Sequence, residues 1–233
     1  MGNRRIQLPT RHEREMASPT SIDFPSGIRV IDPLQRIERF LKREYAWYDA
    51  YADRIPNVIL PFDVLVATGV NAFVANASVT NLRTIHDGLV SECSAILQSV
   101  PADADLASSA AIDGIVDLVI AGTRAQGAQA AVETKVLHRK RRQAIPILDS
   151  VVVGHYCDKR TAAMLADGAP SGDVRFHRAM EQAFLAVQSD LVATAAELAT
   201  LQALVVAGGW NVGTLRLHDI LAWTEVEPRG YYR

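Results

Sequence analysis

The sequence predicts an all-α protein built as one compact multi-helix domain. Apolar residues recur at helical spacing from Asp32 to Trp223. No alternation of apolar and polar residues persists for more than a few positions, which disfavours a sheet of more than two short strands. Hydrophobic residues make up 49% of the 233 positions, which is enough for a sizeable core.

The first helix has the clearest start signal, because Asp32 is a preferred N-cap residue and Pro33 suits the first helical position. Its aromatic residues are predicted to face the core: Tyr45, Trp47, Tyr48 and Tyr51. The last helix is expected to close the core, with Arg216 and Asp219 as structural partners. The same periodicity predicts helices at 31–54, 62–75, 80–100, 110–122, 127–138, 149–156, 173–188, 190–207 and 212–225.

The chain is predicted to divide at about residue 30. Residues 1–30 carry three prolines and many charges without any period, so we expect them to be disordered or extended. Residues 31–233 are expected to form a single helical domain, since no internal repeat and no Pro/Ser-rich linker interrupts them.

Composition argues against several functional classes. A net charge of −2 gives no overall field that would attract nucleic acid or anionic lipid, so any such attraction needs a local patch. No apolar run reaches the roughly 18 residues of a membrane helix, and the N-terminus lacks a signal-peptide pattern; we expect a cytoplasmic protein without a membrane partner. The spacing of Cys93 and Cys157 matches no metal or redox motif, so neither a metal nor another cofactor is expected. The oligomeric state stays open.

A basic run opens the segment that we expect to carry the function. Lys135, His138, Arg139 and Arg142 share one face of a predicted helix at i, i+3, i+4 and i+7. Four cationic residues of this run form a candidate phosphate-binding set: Lys135, Arg139, Arg141 and Arg142. The alternative interpretation is a solvated face that stabilises the helix C-terminus.

A single carboxylate, Asp149, follows this run at the start of the next predicted helix. There it can cap free N–H groups, and the helix dipole favours its ionised form. A carboxylate held in a dry site can also stabilise a cationic transition state, which makes Asp149 a candidate catalytic residue. Glu133 and His138 are further catalytic candidates as an acid–base pair, with a surface ion pair as the alternative.

Two segments resemble an uncharacterised bacterial family known only as a domain of unknown function. Its pattern runs Gly-x-Gly, Lys-Leu-Leu, a basic run and Pro-x-x-Asp-Ser, then Leu-Arg-x-x-Asp and a tryptophan near the C-terminus. The matching positions are Gly127, Lys135-Val136-Leu137, Arg139-Lys140-Arg141, Pro146-Ile147-Leu148-Asp149-Ser150, Leu215, Arg216, Asp219 and Trp223. The likeness extends loosely over most of residues 60–225 and implies no particular activity.

The first of these segments also resembles the helix–hairpin–helix DNA glycosylase superfamily. There a glycine-rich hairpin binds the DNA backbone and a nearby helix start presents a catalytic aspartate; counting from Gly127, Asp149 takes that place. The resemblance implies N-glycosidic bond cleavage. Gln129 replaces the second hairpin glycine, and Ala131 stands where lyase-type members carry lysine, so an enzyme of this kind would be a hydrolase without lyase activity.

Three hypotheses about function follow. The first is a glycosylase-like protein acting on nucleic acid or a nucleoside, and the second is an enzyme for another small molecule, with Glu133, His138 and Asp149 lining its pocket. The third is a non-catalytic interaction protein. A cavity beside Asp149 would favour the first two over the third, and a continuous positive groove would favour the first over the second.

Overall fold

The computed structural model describes residues 10–50, 55–68, 79–108, 112–126, 130–157 and 174–226, and it confirms a predominantly α-helical protein. The helices are α1 (Arg11–Ala17), α2 (Pro33–Phe40), α3 (Ala46–Ala50), α4 (Pro61–Thr68), α5 (Val79–Ser99), α6 (Ile112–Thr123), α7 (Ala130–Lys140), α8 (Ser150–Tyr156), α9 (Val174–Ala193), α10 (Ala195–Ala207) and α11 (Thr214–Val226). The strands in these ranges, β1 (Ser21–Asp23) and β2 (Arg29–Ile31), form a two-stranded sheet.

The predicted helices from α4 onward agree with the observed ones to within a few residues, apart from the boundary between α9 and α10, where α9 ends later and α10 begins later than predicted. The second half of the helix predicted at 62–75 and the first residues of the one predicted at 127–138 lie outside the described residues. Periodicity and stop signals therefore locate these elements well.

Residues 10–30 are more ordered than predicted. Arg11–Ala17 form α1, and a capping box between Thr10 and Glu13 satisfies N–H groups at its start. Strand β1 then pairs antiparallel with β2. The expectation of a disordered or extended segment is corrected for these residues, which form a helix and a hairpin; residues 1–9 lie outside the described part.

A buried carboxylate on α9, Asp190, connects the hairpin to the helices. Its oxygens accept hydrogen bonds from the Ser26 backbone N–H at 2.9 Å and from the Ser26 hydroxyl at 2.7 Å. Asp190 Oδ2 also accepts a bond from the Tyr156 hydroxyl at 3.1 Å and lies 3.2 Å from His218 Nε2. Burial alone would raise the pKa of Asp190, but the hydrogen bonds from His218 and Ser26 outweigh it and lower that pKa. The ionised carboxylate thus joins the hairpin turn to α8, α9 and α11.

Helix α2 begins at Pro33 as predicted, but Asp32 does not cap it with its side chain. Asp32 has a φ of +49° and makes no side-chain capping bond. After α2 the chain passes through a π-helical turn, Leu41–Tyr45, into α3. Tyr48 of α3 is buried, as expected for the aromatic cluster; the side chains of its other members lie outside the described part.

Helix α7 is buried around most of its circumference. Every residue from Val132 to Arg141 is buried, and the helix packs against α4 and α6. A helix buried on all faces is normally apolar throughout. Helix α7 instead ends in a run of cationic residues, which require partners inside the protein.

The end of α10 has the geometry of a Schellman motif. The Gly209 N–H donates to the Val206 carbonyl at 2.9 Å, and the Trp210 N–H donates to the Val205 carbonyl at 3.1 Å. Gly209 has a φ of +93°, a conformation that side chains with a Cβ rarely adopt. This turn directs residues 211–213 back towards α7.

No single helix among the described residues is long and apolar enough to cross a membrane. The stretch of α9 from Arg178, taken together with α10, meets that criterion only as a pair, and the pair is bent by 78°.

Two glycine variants should change stability in opposite directions. Gly209→Ala forces a Cβ into the left-handed region and should lower the free energy of unfolding by about 1–2 kcal/mol. Gly114→Ala, inside α6, brings its Cβ no closer than 3.9 Å to Val100 and should raise that free energy by about 0.5–1 kcal/mol. Urea unfolding of both variants measures the difference, and equal midpoints would contradict the assigned turn.

Candidate functional site

The cationic side chains of α7 and its C-terminal end lie inside the protein. Lys135, Arg139 and Arg141 are 5%, 3% and 0% exposed, and Lys140 is also buried. The exposed basic face expected from the sequence is therefore corrected: neither a solvated face nor an open phosphate-binding surface is present at these three positions. Arg142 is half-buried.

Arg141 donates hydrogen bonds to main-chain oxygens of the segment before α4 and of the end of α5. Its Nε donates to the Val100 carbonyl at 3.0 Å, and its terminal nitrogens donate to the carbonyls of Pro56 at 2.7 Å and of Leu97. Leu97 belongs to the last turn of α5, where carbonyls lack helical partners and the dipole attracts a cation. The planar guanidinium fits this set because its five N–H groups point in fixed directions.

Asp63 of α4 neutralises part of the remaining charge. Its carboxylate accepts a bond from Arg139 Nε at 3.0 Å and lies 2.6 Å from Lys140 Nζ, with all three side chains buried. The Leu60 N–H also donates to it at 2.8 Å. This group fastens α4 to the C-terminal end of α7.

Tyr48 packs against two guanidinium groups. Arg139 Cζ and Arg216 Cζ are 5.8 Å and 5.4 Å from the centre of its ring, within the range of cation–π attraction. Its hydroxyl donates to the Lys135 carbonyl at 2.6 Å. Arg216 in turn forms two hydrogen bonds to Asp49, at 2.9 and 3.4 Å. Helices α3, α7 and α11 are thus held around one aromatic ring.

Asp49 and Arg216 also line a polar cavity of about 200 Å³, which we call the polar pocket. Its lining residues come from α3, from α7 and the turn after it, from α10, and from α11 and the loop before it: Asp49, His138, Arg142, Gln143, Gln202, Asn211, Val212, Gly213 and Arg216. A Cβ on Gly213 would come within 2.7 Å of the Gln143 side chain, so the glycine makes room for that amide. Cations and carboxamides therefore dominate the wall.

His138 is neutral in this wall, and its tautomer is fixed. Nδ1 lies 2.7 Å from the Ile145 carbonyl, which only accepts hydrogen bonds, so Nδ1 carries the proton. Burial, with a smaller contribution from the Arg216 guanidinium, lowers the pKa of His138 to about 3. Nε2 consequently keeps its lone pair.

Asp149 caps α8 and does not line the polar pocket. Oδ1 accepts the Val152 N–H at 3.0 Å, and Oδ2 accepts the Trp223 indole N–H at 2.8 Å. Asp149 therefore caps α8, as one of the two interpretations predicts. The hydrogen bond from Trp223 of α11 is an additional contact that the sequence did not indicate. Burial lowers the pKa of Lys135 to about 8, and the nearby negative charge of Asp149 limits that decrease.

Glu133 lies apart from His138. It is fully buried, neither of its carboxyl oxygens has a hydrogen-bond partner among the described residues, and burial raises its pKa well above the usual value. A Cβ on Gly122 would come within 2.4 Å of its Cγ, so it packs directly on the backbone of α6. Neither an exposed ion pair nor an acid–base pair with His138 is present among the described contacts.

Of the predicted site residues, the polar pocket brings together only His138 and Arg142. Sequence reasoning missed Asp49, Gln202 and Asn211, because single polar residues on distant elements carry no local signal. Among the described residues no group of three or more His, Cys, Asp or Glu side chains is arranged to hold a metal ion. The hairpin predicted around Gly127 and Gln129 lies outside the described part.

The two segments that carry the family resemblance meet in space. The Ile147 N–H donates to Asp219 Oδ2 at 3.0 Å, and the bond from Trp223 to Asp149 lies beside it. Arg216 and Asp219 attract each other electrostatically, while Arg216 donates hydrogen bonds to Asp49 and Asp219 accepts one from the Ile147 N–H. The shared pattern thus describes the junction between α7, α8 and α11.

Comparison with known families agrees with the first resemblance. The sequence model of a protein family of unknown function (DUF6308) matches residues 35–226 of this chain. Searches of curated proteins and of solved structures gave no match.

Replacing Arg141 should destabilise the protein strongly. Arg141→Met leaves several buried carbonyls without a donor, so we expect a loss of at least about 3 kcal/mol in the free energy of unfolding. Arg83→Met is the matched control, because the Arg83 side chain is 81% exposed and should contribute less than about 0.5 kcal/mol. Urea unfolding measures both, and a near-native midpoint for Arg141→Met would show that its bonds are dispensable.

Replacing Asp149 with asparagine should cost more than the loss of a cap alone. Asparagine offers one oxygen, so it can accept from Val152 or from Trp223 but not from both, and we expect a loss of about 1–3 kcal/mol. The exposed Asp103→Asn controls for removing one charge. Thermal unfolding compares them; indistinguishable midpoints would mean that the indole bond contributes nothing.

Proposed function

We propose that this chain, which belongs to the DUF6308 family of unknown function, binds a small molecule with an anionic group in its polar pocket. The observation that carries this proposal is the composition of the pocket wall, where two arginines and three carboxamides converge on one small cavity. Such convergent polar groups are typical of sites that orient a small ligand.

The charges of the wall favour an anion. Arg142 and Arg216 bring two positive charges, Asp49 brings one negative charge, and His138 is neutral. Summed over these lining side chains, the formal charge is +1. A guanidinium binds a carboxylate or a phosphate through paired N–H bonds, so either group suits this wall.

The size of the cavity limits the ligand. A volume of about 200 Å³ corresponds to about seven water molecules at about 30 Å³ each. A phosphate or carboxylate with a few further atoms fits that space, whereas drug-sized ligands usually occupy about 300 Å³ or more. The proposal therefore concerns a small metabolite-like anion.

This proposal corresponds to the second hypothesis from the sequence, a protein that acts on a small molecule, but the residues that line the pocket differ from those expected. His138 remains in the site, while Glu133 and Asp149 lie elsewhere. N-glycosidic cleavage by Asp149 and nucleic-acid binding through the basic run stay predictions, and they receive less support because both Asp149 oxygens and most of the basic side chains are engaged within the fold.

A single substitution in the pocket wall tests the proposal. Arg142 is half-buried beside the cavity, so Arg142→Gln removes the charge while keeping a polar side chain. We expect lactate or glycerol 3-phosphate to raise the melting temperature of the wild type, since a ligand at a hundred times its Kd adds about 2.7 kcal/mol to stability. The rise should be at least halved in Arg142→Gln.

The control is Arg83→Gln, which removes the same charge from an exposed position on α5. It should respond to each anion as the wild type does. Equal responses of all three proteins, or no response of the wild type, would contradict binding in the polar pocket.

A further inference from the structure

We infer that His138 determines the specificity of the polar pocket and selects anions that carry a hydroxyl group beside the charged group. This inference rests on the proposed function, because it concerns the ligand of the same cavity. It assigns a chemical class to that ligand, namely hydroxylated carboxylates or phosphate esters.

The geometry fixes what His138 offers to a ligand. The Ile145 carbonyl holds the proton on Nδ1 at 2.7 Å, so the other ring nitrogen offers a lone pair. Stacking on the Tyr48 ring, at 25° and 6.3 Å between ring centres, holds the imidazole in place. Tyr48 and the Ile145 carbonyl therefore fix the orientation of a hydrogen-bond acceptor in the wall.

The charged groups around His138 keep it an acceptor. Arg216 of α11 and the neighbouring Arg139 and Arg142 all disfavour a second proton on the ring, while Asp49 is engaged by Arg216. The lining of the cavity thus contains two guanidinium groups, which are donors, and an imidazole whose Nε2 is an acceptor.

A plain anion matches only half of this wall. Its oxygens accept bonds from the guanidinium and amide N–H groups, but they cannot donate to the imidazole lone pair, and a buried acceptor left unpaired costs about 1–3 kcal/mol. A hydroxyl beside the anionic group donates to that lone pair. The pocket should therefore prefer the hydroxylated member of a matched pair of anions by roughly fivefold or more, which corresponds to about 1 kcal/mol.

Two matched pairs of probes measure this preference by calorimetry at pH 8: lactate against propionate, and glycerol 3-phosphate against propyl phosphate. At this pH both phosphate monoesters are largely dianions, because their second pKa is about 6, so neither phosphate group acts as a donor. The two pairs also distinguish a carboxylate ligand from a phosphate ligand, since the pocket should favour the pair whose anionic group it accommodates.

The variant His138→Asn separates the acceptor from the structural bond. The asparagine amide nitrogen stands near the position of Nδ1 and can still donate to Ile145, whereas the acceptor at the position of Nε2 is lost. We expect the preference to fall to within about twofold of unity in His138→Asn. The control is Arg83→Gln on the exposed side of α5, which should keep the wild-type preference within each pair.

A measurement on the wild type covers the case in which His138→Asn fails to fold. The imidazole ¹⁵N spectrum should show the unprotonated nitrogen shifting on addition of the hydroxylated anion and staying unchanged with the plain one. Equal wild-type affinity within both pairs, or a preference that survives in His138→Asn, would overturn the inference and leave the proposed function standing. Absence of binding by all four probes would instead contradict the proposed function.

Discussion

The cationic end of α7 lies inside the protein, and the elements packed around it supply the oxygen atoms that it needs. Isolated charges are too costly to bury, so each buried cation requires a carboxylate or a set of carbonyls close by. Asp63 brings α4 to Arg139 and Lys140, and the carbonyls at the end of α5 reach Arg141. The positions of α4 and α5 relative to α7 are therefore set by electrostatics as well as by apolar packing.

The polar pocket also contains buried charges that are paired within the protein. Arg216 forms an ion pair with Asp49, and its guanidinium packs on the ring of Tyr48. The same ring also contacts the guanidinium of Arg139 on α7. The buried Tyr48 thereby contacts both the Arg216 guanidinium and the His138 imidazole, two of the groups that line the cavity. A wall supported in this way needs little reorganisation when a ligand enters, which favours selective binding.

The helices were predictable from sequence because periodicity, prolines and glycines are local signals. The hairpin at β1 and β2 was not, since strands of three residues are too short to show an alternating pattern. The sequence predicts a surface position for the basic run, because clustered cations usually face solvent. The hydrogen-bond partners of Arg141 include the carbonyls of Val100 and Pro56, which lie 41 and 85 residues away in sequence. No local sequence pattern indicates such distant partners.

The candidate site was predictable only in part for the same reason. His138 and Arg142 stood out within one dense segment, and Arg216 belonged to a recognisable C-terminal pattern. The amides of Gln202 and Asn211 are ordinary polar residues in sequence, and only the turn at Gly209 brings their part of the chain back to α7. Asp149 drew attention as a lone carboxylate at a helix start, and that position is explained by its two hydrogen bonds.

The buried, neutral Glu133 means that folding changes the number of protons bound by the chain. Its pKa is raised in the folded state, so from about pH 4.3 upward the folded chain holds a proton that the unfolded chain has lost, and this group's contribution to stability falls as pH rises. His138 acts in the opposite sense between about pH 3 and pH 6.5, where the unfolded chain binds the extra proton and stability falls as pH falls. The two side chains therefore couple folding to protons in opposite directions: at Glu133 folding takes up a proton above about pH 4.3, and at His138 folding releases one between about pH 3 and pH 6.5.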